Sequence, residues 1–286
     1  MISAAELVAG VATLASLPTV YLRVKEVVED PQSSLVDLTK VIATDPGLTA
    51  RMLRIVNSPF YGHAGKVETV SRALNILGTQ QVHDLVLATA VIRVFAGGSP
   101  TLMNIEAFWR ASLYRALLAR TLAKRCDILD SERLFLEGLL SDIGHLVMYD
   151  RIPDLAASAL RVSRQDKAPL FRVERELIGC DYAQVGAELM RVWRLPGSIE
   201  STVRHHPEPC LANTAVFETS LVHIAALIAA AADTGEAVDT WILPIEPFAW
   251  EQTKLSAECY AAVKRQSDAE ISAATNAFHP TSAAAA

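Results

Sequence analysis

The sequence has no surplus of basic residues and few charges of either sign. Its 286 residues include 26 lysines and arginines against 32 aspartates and glutamates, which gives a formal net charge of −6. Nonspecific affinity for nucleic acid depends on an excess of basic side chains, so we expect no nucleic-acid partner. With 51% hydrophobic and only 20% charged residues, the chain is too apolar to be disordered.

Cysteine pairs and long apolar runs are also missing. The four cysteines are dispersed: Cys126, Cys180, Cys210 and Cys259. No Cys-x-x-Cys pair is present, so we expect neither a zinc ribbon nor a dithiol redox site, and free thiols are typical of a reducing cytosol. Residues 1–20 lack the basic region of a signal peptide, and the longest apolar run, residues 224–232, is about half of a membrane span. These absences predict a cytoplasmic protein outside the membrane.

No segment shows the period-two alternation of a β-strand, and helical spacing of apolar residues dominates instead. Ser33-Ser34 can cap a first helix, Asp45-Pro46 can begin a second that stops at Asn57, and Gly78 can end a third. A fourth helix is predicted from Thr79 to about Phe95. Further helices are predicted near residues 105–125, 131–149, 154–165, 170–178, 182–193, 197–205 and 214–232. The fold class is therefore predicted to be all-α.

The segment Gly97-Gly98-Ser99-Pro100 predicts a linker, because glycine and proline do not continue a helix. It separates an N-terminal helical subdomain, residues 1–98, from a helical bundle, residues 99–235. A C-terminal helical extension with an Ala-rich tail is predicted over residues 236–286. Apolar helix faces flank the linker on both sides, so we expect the N-terminal subdomain to pack on the bundle and to form one output surface with it.

Several short motifs follow one another along the chain: Asp45-Pro46-Gly47-Leu48, Asn57-Ser58-Pro59-Phe60, Phe108-Trp109, Gly138-Leu139-Leu140-Ser141-Asp142-Ile143-Gly144, Trp193-Arg194-Leu195-Pro196 and His205-His206-Pro207. In this order they resemble the motifs of the HDOD family, the HD-related output domains of bacterial signalling proteins. The resemblance extends from about residue 14 to residue 260. It implies an N-terminal helical subdomain packed on an HD-like helical bundle.

Enzymes of the HD superfamily use an adjacent His and Asp to hold divalent metals that activate water against a phosphoester. The resemblance places four residues without such donors at metal-site positions: Ala111, Ser141, Tyr182 and Ala226. The surviving polar groups are Asp142, His205 and His206. Three groups should hold a metal only weakly. We therefore expect no metal, no cofactor and no catalysis.

Asp142 allows two interpretations. It could be the remnant of a metal ligand, or a partly buried carboxylate paired with a neighbouring cation, which is the usual outcome. His145, three residues further on the same helical face, is the expected neighbour, and it could alternatively restore a metal ligand.

The other histidines also allow structural interpretations. His205 and His206 could bind a metal or phosphate, but such side chains also cap helix ends. His223 is expected to be a hydrogen-bonded core residue, whereas His63 and His83 are expected in a loop and on the surface.

The turn at Asn57-Ser58-Pro59 could present polar groups to a ligand, but residues of these types also end helices for backbone reasons. Nearby basic residues could add a patch: Arg51, Arg54, Lys66 and Arg72. However, residues 1–98 contain eight basic and eight acidic side chains. We therefore favour a helix stop beside a solvated surface.

The HDOD resemblance implies a non-catalytic signalling module that binds a regulatory protein or signalling domain. One alternative is a metal-dependent phosphohydrolase acting on a nucleotide or cyclic dinucleotide, as the related HD-GYP enzymes do. Another is a pseudoenzyme whose degenerate cleft binds a nucleotide without cleaving it. That cleft would need cations near Asp142 and His206, for which Arg110, Arg115 and Arg204 are candidates.

Overall fold

The computed structural model describes residues 1–9, 11, 17–59, 61, 65–95, 102–233 and 245–278. All of the regular secondary structure in these ranges is helical, which confirms the predicted all-α class. Three sequence predictions concern residues outside these ranges: the linker at residues 97–100, His63, and the Ala-rich tail beyond residue 278. Among the described helices, none combines the length and apolar character needed to cross a membrane.

Within the described ranges, six helices precede the predicted linker. They are α1 (Ala4–Ala9), α2 (Thr19–Glu29), α3 (Leu35–Ala43), α4 (Pro46–Val56), α5 (Val70–Leu77) and α6 (Thr79–Phe95). Ser34 caps α3 in a capping box with Asp37, and the Asp45 carboxylate caps α4 by accepting the Leu48 N–H. Gly78, with φ at +86°, ends α5. These residues confirm the predicted helix ends.

Among the described residues after the linker, ten helices and one 3₁₀ turn follow. They are α7 (Ile105–Arg125), α8 (Ser131–Leu140), α9 (Gly144–Arg151), α10 (Pro153–Asp166), α11 (Leu170–Leu177), α12 (Tyr182–Val192), α13 (Gly197–His205), the 3₁₀ turn Pro209–Leu211, α14 (Val216–Asp233), α15 (Pro247–Thr253) and α16 (Ala257–Phe278). Every residue of α7 from Ser112 to Ala123 is buried, so this helix forms the centre of its unit.

The prediction of one helix over residues 131–149 is wrong, because the chain turns between α8 and α9. The turn brings Gly144 against α12, where a Cβ atom at residue 144 would lie 1.9 Å from the Tyr182 carbonyl oxygen. At residue 138 a Cβ atom would lie 2.9 Å from the Arg115 carbonyl oxygen of α7. The two glycines of the motif therefore permit close backbone contact with neighbouring helices.

Contacts divide the chain into two compact units. One contains residues 16–97 and 268–286, and the other contains residues 1–15 and 98–267. In the first, α2 packs on α3 and α6, and α5 packs on α3, α4 and α6. In the second, α7 packs on α8 and α14, and α12 packs on α9 and α13.

The units differ at both chain ends from the three-part division predicted from the sequence. Helix α1 packs on α9 and α12, so residues 1–15 group with the bundle rather than with the helices that follow them. The unit boundary near residue 267 falls within α16, so the predicted C-terminal extension contributes to both units.

Candidate functional site

Four side chains from separate parts of the bundle meet at the position of the HD-like motif. Arg115 lies on α7, Asp142 in the turn between α8 and α9, Tyr182 at the start of α12, and His206 directly after α13. The turn and the glycine contacts described above fix Asp142 between these helices. The cluster therefore depends on tertiary packing rather than on one local segment.

Asp142 forms an ion pair with Arg115. Its Oδ2 atom lies 2.9 Å from Arg115 Nη1, and the two side chains are 19% and 10% exposed. Burial acts to raise the pKa of Asp142, but the charge of Arg115 and two nearby imidazoles outweighs burial and lowers it. Arg115 also donates to Ser112 Oγ at 3.1 Å. The carboxylate thus already has a cationic partner.

His206 is only 1% exposed, and burial lowers its pKa to about 4. Its Nδ1 atom lies 2.8 Å from the Val203 carbonyl oxygen, so Nδ1 carries the proton and donates it. In the neutral ring Nε2 is then an acceptor, and it lies 3.3 Å from the Tyr182 hydroxyl. Nε2 is 3.8 Å from Asp142 Oδ1. Both ring nitrogens therefore have protein partners.

Tyr182 and His145 stack against each other, with ring centroids 4.1 Å apart and planes inclined by 21°. Tyr149 stacks on His145 as well, at 5.2 Å. Glu174 of α11 accepts the Tyr182 N–H at 3.0 Å, and its other oxygen lies 3.4 Å from His145 Nε2. Aromatic stacking thus fills the space beside Asp142.

The expectation that His145 is the direct partner of Asp142 is wrong. That expectation assumed one continuous helix, in which residues three apart share a face. The turn between α8 and α9 removes this geometry, so Arg115 contacts Asp142 and His145 faces Glu174.

The other residues predicted for the site do not join the cluster as donors. Ala111 and Ala226 carry no polar group, and Ser141 is fully buried with its hydroxyl donating to the Gly138 carbonyl at 2.9 Å. His205 Nδ1 lies 3.4 Å from Ser201 Oγ of its own helix.

The two additional cations predicted near the cleft have other surroundings. Arg110 is exposed on α7. Arg204 pairs with Glu200 on α13 at 2.9 Å. Of the three candidate cations, the structure places Arg115 alone in contact with Asp142.

His223 of α14 hydrogen-bonds the backbone of His206. Its Nδ1 atom lies 2.8 Å from the His206 carbonyl, and its Nε2 atom accepts the Glu246 N–H at 3.1 Å. His223 is 6% exposed, which confirms the predicted hydrogen-bonded core histidine. Sequence reasoning missed Glu174 and Glu246, because no motif marks either residue.

The sequence pattern of the HDOD domain matches residues 14–209, more than half of the chain. The chain belongs to the HDOD family. It is thus a domain of the signal-transduction type. An uncharacterized protein from Treponema pallidum (strain Nichols) is 23% identical over 191 residues, which cover 66% of this chain and 37% of that relative. The chain therefore spans little more than a third of the relative's length.

Solved structures share this HDOD architecture. A protein from Shewanella amazonensis SB2B, provisionally described as a phosphohydrolase, is 26% identical, with 96% and 97% of the two chains covered and a TM-score of 0.73. An HDOD domain protein of unknown function from Geobacter sulfurreducens is 22% identical, with 96% of each chain covered and a TM-score of 0.78. A provisionally described signal transduction protein from Marinobacter aquaeolei VT8 is 22% identical, covers 94% and 61%, and has a TM-score of 0.71. The last two show the fold alone.

The donor set of this HDOD chain does not fit the metal pair of HD hydrolases. A guanidinium already neutralises Asp142, and each nitrogen of His206 faces a protein partner. Within the part of the chain that the structure describes, no group of three or more His, Cys, Asp or Glu side chains is arranged to hold a metal. Transition-metal sites need three or four such ligands.

A second buried histidine network lies in the unit formed by residues 16–97 and 268–286. His83 is 7% exposed, its Nε2 atom lies 3.2 Å from the Tyr21 hydroxyl, and its Nδ1 atom lies 2.9 Å from Asp84 Oδ1. The expectation that His83 is a surface residue is wrong, because packing in this unit buries the helix face that carries it.

Proposed function

We propose that this HDOD chain is a non-catalytic signalling module of the cytoplasm that acts by binding a regulatory protein or signalling domain. The observation that supports this most directly is the Arg115 guanidinium 2.9 Å from Asp142. The guanidinium supplies the positive charge that a metal ion supplies in an HD hydrolase. The carboxylate keeps a cationic counterpart without a metal.

The chemistry of phosphoester hydrolysis supports the same proposal. An HD hydrolase needs metal ions to generate a nucleophile from water and to neutralise charge on the transition state. In this cluster, Tyr182 stacks on His145 and hydrogen-bonds His206. Burial raises the pKa of the Tyr182 hydroxyl well above its usual value, so at neutral pH this group is an uncharged donor. It is a weak substitute for a ligating imidazole.

The nucleotide-binding alternative needs cations that converge on the cleft. Arg115 is already paired with Asp142, Arg204 is paired with Glu200, and Arg110 is exposed on α7. A phosphate would have to displace the Asp142 carboxylate from Arg115. The arrangement therefore favours a structural cluster over a phosphate site.

Metal content and turnover together test the proposal. The full chain would be purified without chelators, analysed for Fe, Mn, Zn and Mg, and assayed with Mn²⁺ against nucleotides and cyclic dinucleotides. We expect clearly less than one metal per chain and no hydrolysis above that of the Asp142→Ala variant.

Two results would contradict the proposal. About one or two transition metals per chain, lost in Asp142→Ala, would indicate a metal-dependent phosphohydrolase. Stoichiometric nucleotide binding without turnover, lost in Arg115→Met, would indicate the nucleotide-binding pseudoenzyme.

A further inference from the structure

An open groove of about 980 Å³ lies within the unit formed by residues 16–97 and 268–286. Helix α4, the segment that follows it and the last turns of α16 form its walls. Small or apolar side chains cover most of its surface: Ala50, Leu53, Val67, Ala273 and Ala277. The groove is large enough for several side chains of a bound segment.

Two polar side chains that line the groove are engaged with the backbone. The Asn57 carboxamide donates to the carbonyls of Leu53 and Val67 and accepts the Val67 N–H at 2.7 Å. The Ser58 hydroxyl donates to the Ile55 carbonyl at 2.7 Å. These contacts support a helix stop rather than a ligand loop.

Two of the three charged side chains that line the groove, Arg54 and Lys66, are basic, and the third is Glu68. Arg54 makes no ion pair with any described residue. Lys66 lies 3.4 Å from Glu68, but these side chains are 79% and 68% exposed. So exposed a pair contributes little stability, which leaves Lys66 available for another partner.

The side-chain amide of Asn276 is a third group in the groove that can bind a ligand. The Asn276 carboxamide faces the groove from α16 and has no hydrogen-bond partner in the described part of the chain. A side-chain amide can donate to and accept from a peptide backbone at the same time.

We propose that this groove binds an acidic, partly apolar peptide segment of the partner protein, an inference that rests on the proposed function. Apolar side chains would contact the alanine-rich walls, and carboxylates would pair with Arg54 and Lys66. Ala50, Pro59 and Asn276 are exposed in the groove wall. Such an open site favours a peptide over a small molecule, since small-molecule pockets enclose most of their ligand.

A display library of short random peptides, selected on the full chain, tests the groove without knowledge of the partner. We expect selected peptides to combine Asp or Glu with apolar residues. Fluorescence polarisation would then measure one labelled peptide against variants. Arg54→Glu should weaken binding about tenfold, and Ala50→Trp should weaken it at least as much by filling the groove.

Matched controls separate the groove from general effects of charge and size. Arg23→Glu makes the same charge change at an exposed position of α2, and Ala43→Trp makes the same size change at an exposed position of α3. Both should bind the peptide like the unchanged protein. An acid-to-lysine change in the peptide should restore binding to Arg54→Glu, which would report a direct charge pair. Thermal unfolding of each variant would verify that it is folded.

Several outcomes would overturn the groove assignment. One is a failure to select any peptide, and another is the selection of peptides without acidic residues. A third is an Ala50→Trp variant that binds the peptide as tightly as the unchanged protein does. A concentration-dependent dimer that Ala50→Trp abolishes and that excludes the peptide would assign the groove to a second copy of the chain. None of these outcomes alters metal content or turnover, so failure of the groove and failure of the proposed function are distinguishable.

Discussion

The two units each bury a network of a histidine, an aspartate and a tyrosine, and in the bundle an arginine pairs with the aspartate. In the bundle, His206 accepts from Tyr182, while Asp142 is paired with Arg115 at 2.9 Å. In the other unit His83 connects Tyr21 to Asp84, which also accepts from Gln80 at 3.0 Å, and the second Asp84 oxygen is buried without a hydrogen-bond partner. The first network pairs its carboxylate with a guanidinium, whereas the second joins its carboxylate to an imidazole and a side-chain amide.

Because of this difference, a substitution should lower the stability of the protein by different amounts in the two networks. A buried charge that loses its counterion is strongly destabilising, whereas a hydrogen-bonded group that loses its partner costs less. The network of Asp142 and Arg115 should therefore be the more fragile of the two.

The largest effect is expected from Asp142→Ala. The change leaves the Arg115 guanidinium buried without its counterion, and we expect a loss of about 4 kcal/mol in the free energy of unfolding. Urea denaturation measures it.

The double variant Asp142→Leu with Arg115→Met is the matched control for the ion pair. Because it removes both charges, it should recover most of the lost stability. If both variants are equally unstable, the ion pair is not the reason for the loss.

The pH dependence of stability should show that His206 is buried in its neutral form. Its pKa in the folded protein is about 4, against 6.5 for an unperturbed histidine. Between these values the unfolded chain binds a proton that the folded chain does not, so stability falls as the pH falls from 6.5 towards 4. One such group contributes a slope of about 1.4 kcal/mol per pH unit and about 3 kcal/mol in total.

His206→Gln is the matched comparison, because glutamine does not titrate. Subtracting its stability curve also removes the opposite slope of Glu137, whose pKa burial raises to about 8. Relative to the variant, the unchanged protein should lose stability on acidification and level off below about pH 4. Parallel curves would show that His206 is not buried in its neutral form.

Substitutions in the network of His83 should lower the free energy of unfolding by a smaller amount. His83→Leu removes the ring between Tyr21 and Asp84, and leaving these buried groups without it should cost about 2 kcal/mol. Gln80→Ala removes an exposed donor to the same Asp84 oxygen and should cost under about 0.5 kcal/mol. Chemical denaturation of both variants tests the order, and a larger loss for Gln80→Ala would contradict it.

Local sequence signals were sufficient to predict the helix ends. They were not sufficient to predict features that depend on contacts between distant segments of the chain. Ser34, Asp45 and Gly78 act through backbone groups within a few residues, so their sequence context is sufficient. The break between α8 and α9 depends on Gly144 meeting α12, some forty residues later in the chain. No local signal marks such a contact.

The candidate site shows the same division. The motif identified the positions of Ser141 and Asp142, because family resemblance is read along the chain. From the sequence, Arg115 is only one of three candidate cations near Asp142, because the packing of α7 on α8 that brings the two residues together is not read along the chain. Burial of His83 was missed for the same reason: tertiary packing buries every residue of α6 from Val82 to Ile92.

A smaller effect than that of His83→Leu is expected at Ser141, where an HD hydrolase has a metal-binding histidine. Its hydroxyl donates to the Gly138 carbonyl at 2.9 Å. Gly138 lies in the last turn of α8, where carbonyls lack the full set of intrahelical partners, so this bond replaces one that the helix cannot make. Ser141→Ala should therefore cost about 1 kcal/mol.

Thr89 of α6 is the matched control in the other unit. It makes a bond of the same length to the Val86 carbonyl, but that carbonyl lies within a continuing helix and already accepts a backbone N–H. Thr89→Val keeps the side-chain shape and should change stability by less than about 0.5 kcal/mol. Equal losses in the two variants, measured by urea denaturation, would mean that Ser141 is an ordinary buried hydroxyl rather than the replacement for a missing helix bond.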